Sequence, residues 1–279
     1  MNLQIVIPVY NEESHLQETI NSIVSQSLLP NKVVFVDDNS TDNSLQILKI
    51  DAEKYDFIEV ISIQSKSENI PGAKVIHAFY KGFQQIDATA ELIGKFDADI
   101  ILPKHYFETL VEMFHHNPKL GIAGGNLYIQ KDNEWVFEAI SSKKKVRGPI
   151  KLYRKGCFQE IGGLKPSIGW DTVDELLAQY HGWEVQTNPQ LMVKHLKPTG
   201  STYSKKARYK QGEAFKKMRY GFWLTFIASG KLAWRKKSFS FFINCLKGYF
   251  KTKEEYLVSK EEGKFIRKLR WRNIKKKLF

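Results

Sequence analysis

Two aspartates separated by one residue, Asp97 and Asp99, close the apolar run "LIGKF". In an extended segment residues i and i+2 face the same way, so both carboxylates can turn toward one divalent cation or one diphosphate. Hard cations such as Mg²⁺ or Mn²⁺ take oxygen ligands and often share them with substrate phosphates. An adjacent pair, Asp37 and Asp38, ends a second apolar run, "VVFV". The stretch "GWDTVDELLAQYHGW" holds a third group, Asp171, Asp174 and Glu175. There Val173, Leu176, Leu177 and Tyr180 form the i, i+3, i+4, i+7 core stripe of a helix starting near residue 172, with the acids on the opposite side. Thr172 and Glu175 have capping-box spacing, which leaves Asp171 in the Gly-Trp loop just before the helix, where a carboxylate can accept a proton. His195 offers a neutral imidazole as a further metal ligand. Lys74, Arg154 and Lys155 are cations able to neutralise phosphate. Each has a plain structural alternative: a solvated strand end for Asp97 and Asp99, a helix N-cap for Asp171, a packing role for His195.

The elements that must position these groups are legible over the first hundred residues. "LQIVIPVY", "KVVFVDD", "FIEVISI" and "ELIGKF" predict strands. Helices are expected after each of the first three: one with the stripe Leu16, Ile20, Ile23 and Val24, one opening near Ser40–Asp42, and "AKVIHAFYKGF". That alternation predicts an α/β, Rossmann-like, mostly parallel sheet flanked by helices. Ligands of such sheets sit beyond the carboxyl ends of the strands, where both early acidic clusters fall, so the two should converge on one crevice. From 120 to 200 the pattern is mixed. From 205 onward helices are expected, broken near Gly230 and around 251–253.

Charge divides the chain. Residues 201–279 hold 23 Lys and Arg against 5 Glu, a net +18, while residues 1–200 carry a net −5. A boundary is therefore expected near Thr199–Thr202, between a domain at 1–200 that holds the acidic groups and a basic, aromatic, helical extension, 201–279. The apolar stretch "GFWLTFIASG" is ten residues long, about half of what a spanning helix needs. Mixed with Lys and Arg, the Trp, Phe and Tyr of the extension suit an anionic membrane surface. The two cysteines, Cys157 and Cys245, have no metal spacing, and the N-terminus runs directly into a strand without a leader pattern. A cytoplasmic location, peripheral on the inner face of the cell membrane, is expected.

In combination the motifs resemble those of an inverting family 2 glycosyltransferase with the GT-A fold, over about residues 2–200. "IVIPVYNEE" resembles the family's opening strand and turn, and "VDDNSTD" its nucleotide-contacting acidic turn. The resemblance implies that Pro8, Tyr10, Glu12, Asp37 and Asp38 line a nucleoside pocket. It implies that Asp97 and Asp99 hold a divalent metal (Mg²⁺ or Mn²⁺) with the diphosphate of a nucleotide-sugar donor. "RGPIKLYRKGCFQEIGGL" resembles the stretch before the acceptor site. Asp171 and Gly182 match the spacing from the family's acidic "ED" to the Gly that ends the next helix, with Trp170 where the first acid often stands. That departure leaves the catalytic base open between Asp171 and Asp174, with Asp171 preferred. "GWDTVDE" and "HLKPTG" resemble a bacterial branch with "GWDTxDE" and "HxRPTG", Lys197 replacing Arg. The processive "QxxRW" is absent, so one sugar per acceptor is expected. The resemblance implies a glycan or lipid-linked acceptor in bacterial cell-surface polysaccharide or glycolipid synthesis, and no nucleic-acid partner is expected. A dinucleotide oxidoreductase would need a Gly-rich turn where "PVYNEE" stands. The alternative from another class is a nucleic-acid-binding protein using the basic aromatic tail, which leaves the acidic crevice unexplained.

Overall fold

Strands β1 (Leu3–Val9) and β2 (Lys32–Asp38) are interior strands with two apolar faces, because successive side chains point to opposite sides of the sheet. In the computed structural model, which describes residues 1–65, 72–140, 142–198, 209–253 and 255–278, Ile5, Ile7, Val33 and Phe35 enter one core layer and Val6, Val34 and Val36 the other. With β3 (Ile58–Ile63) and β4 (Leu92–Phe96) they form a parallel block in the spatial order β3-β2-β1-β4. Helices α1 (Leu16–Val24) and α2 (Ser44–Ala52) supply Ile20, Ile23 and Leu48 to the first layer. Helix α3 (Ala73–Phe83) supplies Ile76 and Phe79 to the second. Both faces of the sheet are thus covered, as a doubly wound sheet requires.

Beyond β4 come β5 (Ile100–Ile101), α4 (Tyr106–His116), β6 (Leu120–Lys131), β7 (Glu134–Phe137), β8 (Ile150–Arg154), α5 (Lys155–Glu160), α6 (Trp170–Tyr180) and β9 (Glu184–His195). The sheet continues β4-β8-β6-β9-β5, with β7 on β6. Here β6 and β9 are parallel, whereas β4–β8, β6–β8, β6–β7 and β5–β9 are antiparallel. This mixed second half does two things for the site. It sets Lys151 of β8 opposite Lys95 of β4, and it ends β9 with His195 opposite Ile100, one residue past Asp99.

The extension forms α7 (Lys210–Lys217), α8 (Phe222–Arg235), α9 (Phe239–Lys251) and α10 (Lys260–Leu278). The expected break at Gly230 does not occur; α8 runs through it, because a lone Gly in a packed helix costs only about 1 kcal/mol. The chain turns instead where Arg219, Gly221 and Lys237 take positive φ, and again after Lys251, as expected. The proposed boundary at Thr199–Thr202 lies outside the described residues. Apolar packing is continuous across it: Phe215, Tyr220, Ile266 and Leu269 share one buried cluster with Val173, Leu176 and Leu177 of α6.

Two glycines let α7 and α9 touch backbone to backbone. A Cβ on Gly212 would stand 1.8 Å from the Cys245 carbonyl oxygen, and one on Gly248 2.1 Å from that of Tyr209. Gly212→Ala should therefore force the helices apart and lower stability by about 1–3 kcal/mol. Gly230→Ala, whose nearest new neighbour is 3.9 Å away, should raise it by about 0.5–1 kcal/mol through helix propensity. Thermal unfolding of the two variants checks this; effects of the same sign contradict the packing.

Candidate active site

The chain leaves β4 at Asp97, whose N–H donates to the Pro149 carbonyl at 3.0 Å, and Leu196 N–H donates to the Asp99 carbonyl at 2.8 Å. These bonds tie the two aspartates to the loop before β8 and to the end of β9. One ligand atom each from Asp97, Asp99 and His195 fall within 4.8 Å of one another. His195 Nε2 lies 3.7 Å from Asp99 Oδ1, and its Nδ1 lies 3.4 Å from Glu138 Oε2. Burial and the Asp97 charge push the Asp99 carboxyl up to about 7 against the pull of His195. Burial lowers the His195 pKa, and Glu138 and Asp99 outweigh it and raise it. Two oxygen donors and an imidazole whose second nitrogen faces a buried carboxylate suit a divalent cation. Lys95, buried in β4, ion-pairs with Asp97 Oδ1.

The turns after β1 and β2 interlock beside this cluster. Asn11 and Asn39 both take positive φ, Asn11 N–H donates to Ser40 Oγ at 3.0 Å, and Thr41 N–H donates to Asn11 Oδ1 at 2.8 Å. Glu12 ion-pairs with Lys197; burial raises its pKa, that lysine lowers it, and Asp97 is near enough to contribute to the rise. Asp38 accepts from Ser65 N–H at 2.9 Å and Ser65 Oγ at 2.7 Å, and meets Lys74 Nζ at 3.3 Å. The same ammonium lies 3.9 Å from the centre of the Tyr10 ring, which is half exposed. Asp37 Oδ1 is buried without a hydrogen-bond partner among the described residues. Pro8 is held inside β1 opposite Val36. The parallel order β2-β1-β4 puts both acidic strand ends on one edge of the sheet, with β1 between them.

On the far side of the Arg147–Pro149 stretch stands the N-terminus of α6. A Cβ on Gly148 would sit 2.9 Å from the Trp170 ring and 3.4 Å from Asp171 Cβ, so Asp97 and Asp171 contact adjacent residues, Pro149 and Gly148. Asp171 Oδ2 meets Lys145 Nζ at 3.1 Å, and Lys151 Nζ donates to the Asp171 carbonyl at 2.8 Å. Burial pushes the Asp171 carboxyl up, but the Lys145 and Lys151 ammonium groups outweigh it and hold the pKa down at about 2. Beneath it Asp174 accepts from Lys151 Nζ on both oxygens at 2.8 Å, from Tyr153 Oη at 2.5 Å and from Glu175 N–H at 2.6 Å. Burial raises the Glu175 pKa to about 7 while Lys151, 3.6 Å away, pulls it down.

A sequence profile described as Glycosyl transferase family 2 matches residues 4–166, more than half of the chain. The chain belongs to this family. Among curated proteins, an uncharacterized glycosyltransferase of Nostoc sp. is 29% identical over 170 residues, 59% of this chain and 50% of its own. The poly-β-1,6-N-acetyl-D-glucosamine synthase of Staphylococcus aureus (strain COL) is 22% identical over 237 residues, 74% of this chain and 53% of its own. The chain thus spans about half the length of these relatives. Solved structures agree on the GT-A fold. S. aureus TarS in complex with UDP-GlcNAc superposes with a TM-score of 0.58 at 16% identity, covering 84% of this chain and 67% of that one. The mannosyltransferase PcManGT of Pyrobaculum calidifontis, in complex with GDP-Man and Mn²⁺, gives 0.55 at 17%, covering 76% and 61%.

Within this family 2 scaffold several sequence expectations change. Helix α6 begins at Trp170 after Gly169, whose φ of 77° lets the chain enter the helix early, so Asp171 lies in the first turn and not in the preceding loop. The Thr172–Glu175 capping box does not form: Thr172 Oγ1 accepts from Lys145 Nζ at 2.6 Å, and Glu175 turns toward Lys151. Asp174 and Glu175 are buried, not on an outer face, because Lys151 supplies the opposite charge from β8. Arg154 faces no phosphate; it donates to the carbonyls of Phe114, Asn117 and Leu120 at 2.6–3.1 Å and closes the C-terminal end of α4. Lys155 is held by the Ala88 carbonyl.

Sequence reasoning missed Lys95, Lys145, Lys151, Tyr153 and Glu138. A signal existed for two of them: Lys95 in "LIGKF" and Lys151 in "IKLY" stand inside apolar strand runs, where a charge must find a partner. Both ammonium groups lie near the Trp170 ring, at 5.2 and 5.8 Å from its centre.

Proposed function

We propose that the chain is a metal-dependent, inverting glycosyltransferase that moves a sugar from a nucleotide-diphosphate sugar to a hydroxyl of a glycan or lipid-linked acceptor. The process served is bacterial cell-surface polysaccharide or glycolipid synthesis, on the inner face of the cell membrane. The observation that carries it is the Asp97–Asp99–His195 ligand group, joined through the Asp97 N–H to Pro149, whose neighbour Gly148 packs against Trp170 and Asp171. No helix among the described residues is long and apolar enough to cross a membrane, and the extension is basic and aromatic.

Tyr10 stacks on the base, and the Asp37 carboxylate, one oxygen of which is buried without a partner among the described residues, accepts from the base or ribose, with Asp38, Lys74 and Glu12 shaping that end of the pocket. Asp97, Asp99 and His195 would hold Mg²⁺ or Mn²⁺ with the donor diphosphate, and the ion supplies charge stabilisation of the leaving group when bound. Asp171 takes the proton of the acceptor hydroxyl as its oxygen attacks the anomeric carbon, and a single displacement inverts that centre. Lys145 keeps Asp171 ionised in the resting site. A carboxylate held at about 2 is a weak base, so the acceptor must draw Lys145 away as it binds. Asp174 is the poorer candidate because its oxygens are already filled by Lys151, Tyr153 and the Glu175 N–H.

Asp99→Asn should remove the metal-dependent part of nucleotide-diphosphate binding. Calorimetry with UDP and GDP, in Mn²⁺ and in chelator, should show a wild-type gain with Mn²⁺ that the variant loses. Equal affinity of both proteins under both conditions rejects the metal assignment.

A further inference from the structure

Helix α8 is built inside out. Its two hydroxyl residues, Thr225 and Ser229, are fully buried, and Thr225 Oγ1 satisfies itself on the Gly221 carbonyl at 2.8 Å. Phe222, Trp223, Phe226, Ile227 and Trp234 face outward, with Trp223 68% and Trp234 87% exposed. Buried positions such as Leu224 and Ala233 pack inward, so the helix is apolar on both faces. Such a helix is ordinarily enclosed by protein or lipid. The neighbouring helix extends the patch: Phe222 lies 5.8 Å from Phe250 and Phe226 5.1 Å from Phe242, which in turn lies 6.1 Å from Phe239. Phe239 and Phe250 are 77% and 66% exposed. Residues 222–251 contain six Lys and Arg and no Asp or Glu.

We infer that the outer face of the α8–α9 hairpin is the surface by which the protein docks on an anionic lipid bilayer. This gives the membrane placement proposed above a specific face of the molecule. Rings at headgroup depth with cations around them are what an in-plane helix uses to hold an anionic interface. A second copy of the chain fits the patch poorly, since a two-fold contact would bring a segment with six Lys and Arg and no Asp or Glu against its own copy. Helix α8 also touches the segment that precedes Lys145. Arg235 Nη1, at the end of α8, donates to the Ile140 carbonyl at 3.1 Å, in the loop whose Lys145 holds Asp171. A lipid-linked acceptor would thus reach Asp171 from the membrane beneath the hairpin.

The test is sedimentation of the full chain with phosphatidylcholine vesicles, with or without 30% phosphatidylglycerol (an arbitrary ratio of roughly one anionic lipid in three), at low and high salt. Expected are binding to the anionic vesicles at least about tenfold tighter than to neutral ones, weakening with salt, and quenching of Trp fluorescence by brominated lipid. Trp223→Ser/Trp234→Ser/Phe239→Ser should lose about tenfold or more in vesicle affinity, while Lys49→Gln/Lys81→Gln, at exposed positions of α2 and α3, should not. Mn²⁺-dependent UDP or GDP binding of every variant reports on folding and on the donor site. Equal binding to both vesicle types, an unchanged triple variant, or light scattering showing self-association through this face overturns the docking surface. So does a single-stranded RNA that binds this face more tightly than the anionic vesicles. Any of these with nucleotide binding intact leaves the transferase proposal standing; loss of nucleotide binding in the wild type sinks that proposal instead.

Discussion

Asp171→Asn should retain donor binding and lose transfer by about 10²–10⁴-fold, the usual contribution of a positioned general base. Asparagine keeps the shape and leaves the Lys151 contact to the backbone carbonyl untouched, so the loss should fall on kcat with KM for the donor little changed. Asp174→Asn is the informative partner. That carboxylate is 1% exposed and fully engaged, so its amide should cost stability and reduce activity only through the folded fraction. Progress curves with a matched acceptor, beside UDP or GDP titrations, separate the outcomes. A fully folded Asp174→Asn that is inactive, with an active Asp171→Asn, would transfer the base role to Asp174.

Lys151→Met should destabilise the protein by about 3–5 kcal/mol, the range for removing one partner of a buried ion pair. Lys151 is 0% exposed and Asp174 1%, so water cannot replace the lost ammonium. The dependence on pH has a definite sign. Glu175 in the folded protein titrates at about 7, above its unfolded value, so the native state binds the extra proton and stability falls as pH rises through that interval. Without Lys151 the Glu175 carboxyl loses the charge that lowers it, and the deficit should be larger at pH 8 than at pH 5. Urea unfolding at the two pH values measures this, and Lys151→Met/Asp174→Asn should recover part of the loss. A deficit under about 1 kcal/mol at both pH values would mean the cluster is open to solvent.

By itself the sequence determined whatever depends on neighbours along the chain. The continuous apolar runs of β1 and β2, the stripe of α3 and the i, i+2 placement of Asp97 and Asp99 after an apolar strand are local patterns, and each appears where the residues put it. The convergence of the Asp37–Asp38 and Asp97–Asp99 ends was also legible, because parallel strands joined by helices bring their carboxyl ends to one edge. Tertiary structure alone decided the surroundings of α6. A helical wheel identified the Val173, Leu176 and Leu177 stripe but could not place Asp174 and Glu175 inside, since the charge that admits them, Lys151, comes from an antiparallel strand 23 residues away. Arg154 was likewise legible as a cation but not as the group that closes α4, a contact spanning up to 40 residues. The aromatic composition of residues 222–251 could be read directly. Which rings face out was decided by the backbone contact of α7 with α9 and by the burial of Thr225 and Ser229. Local patterns fix which side chains share a face; only the packing of distant elements decides what that face meets, and so which charges are paired, buried or left to solvent.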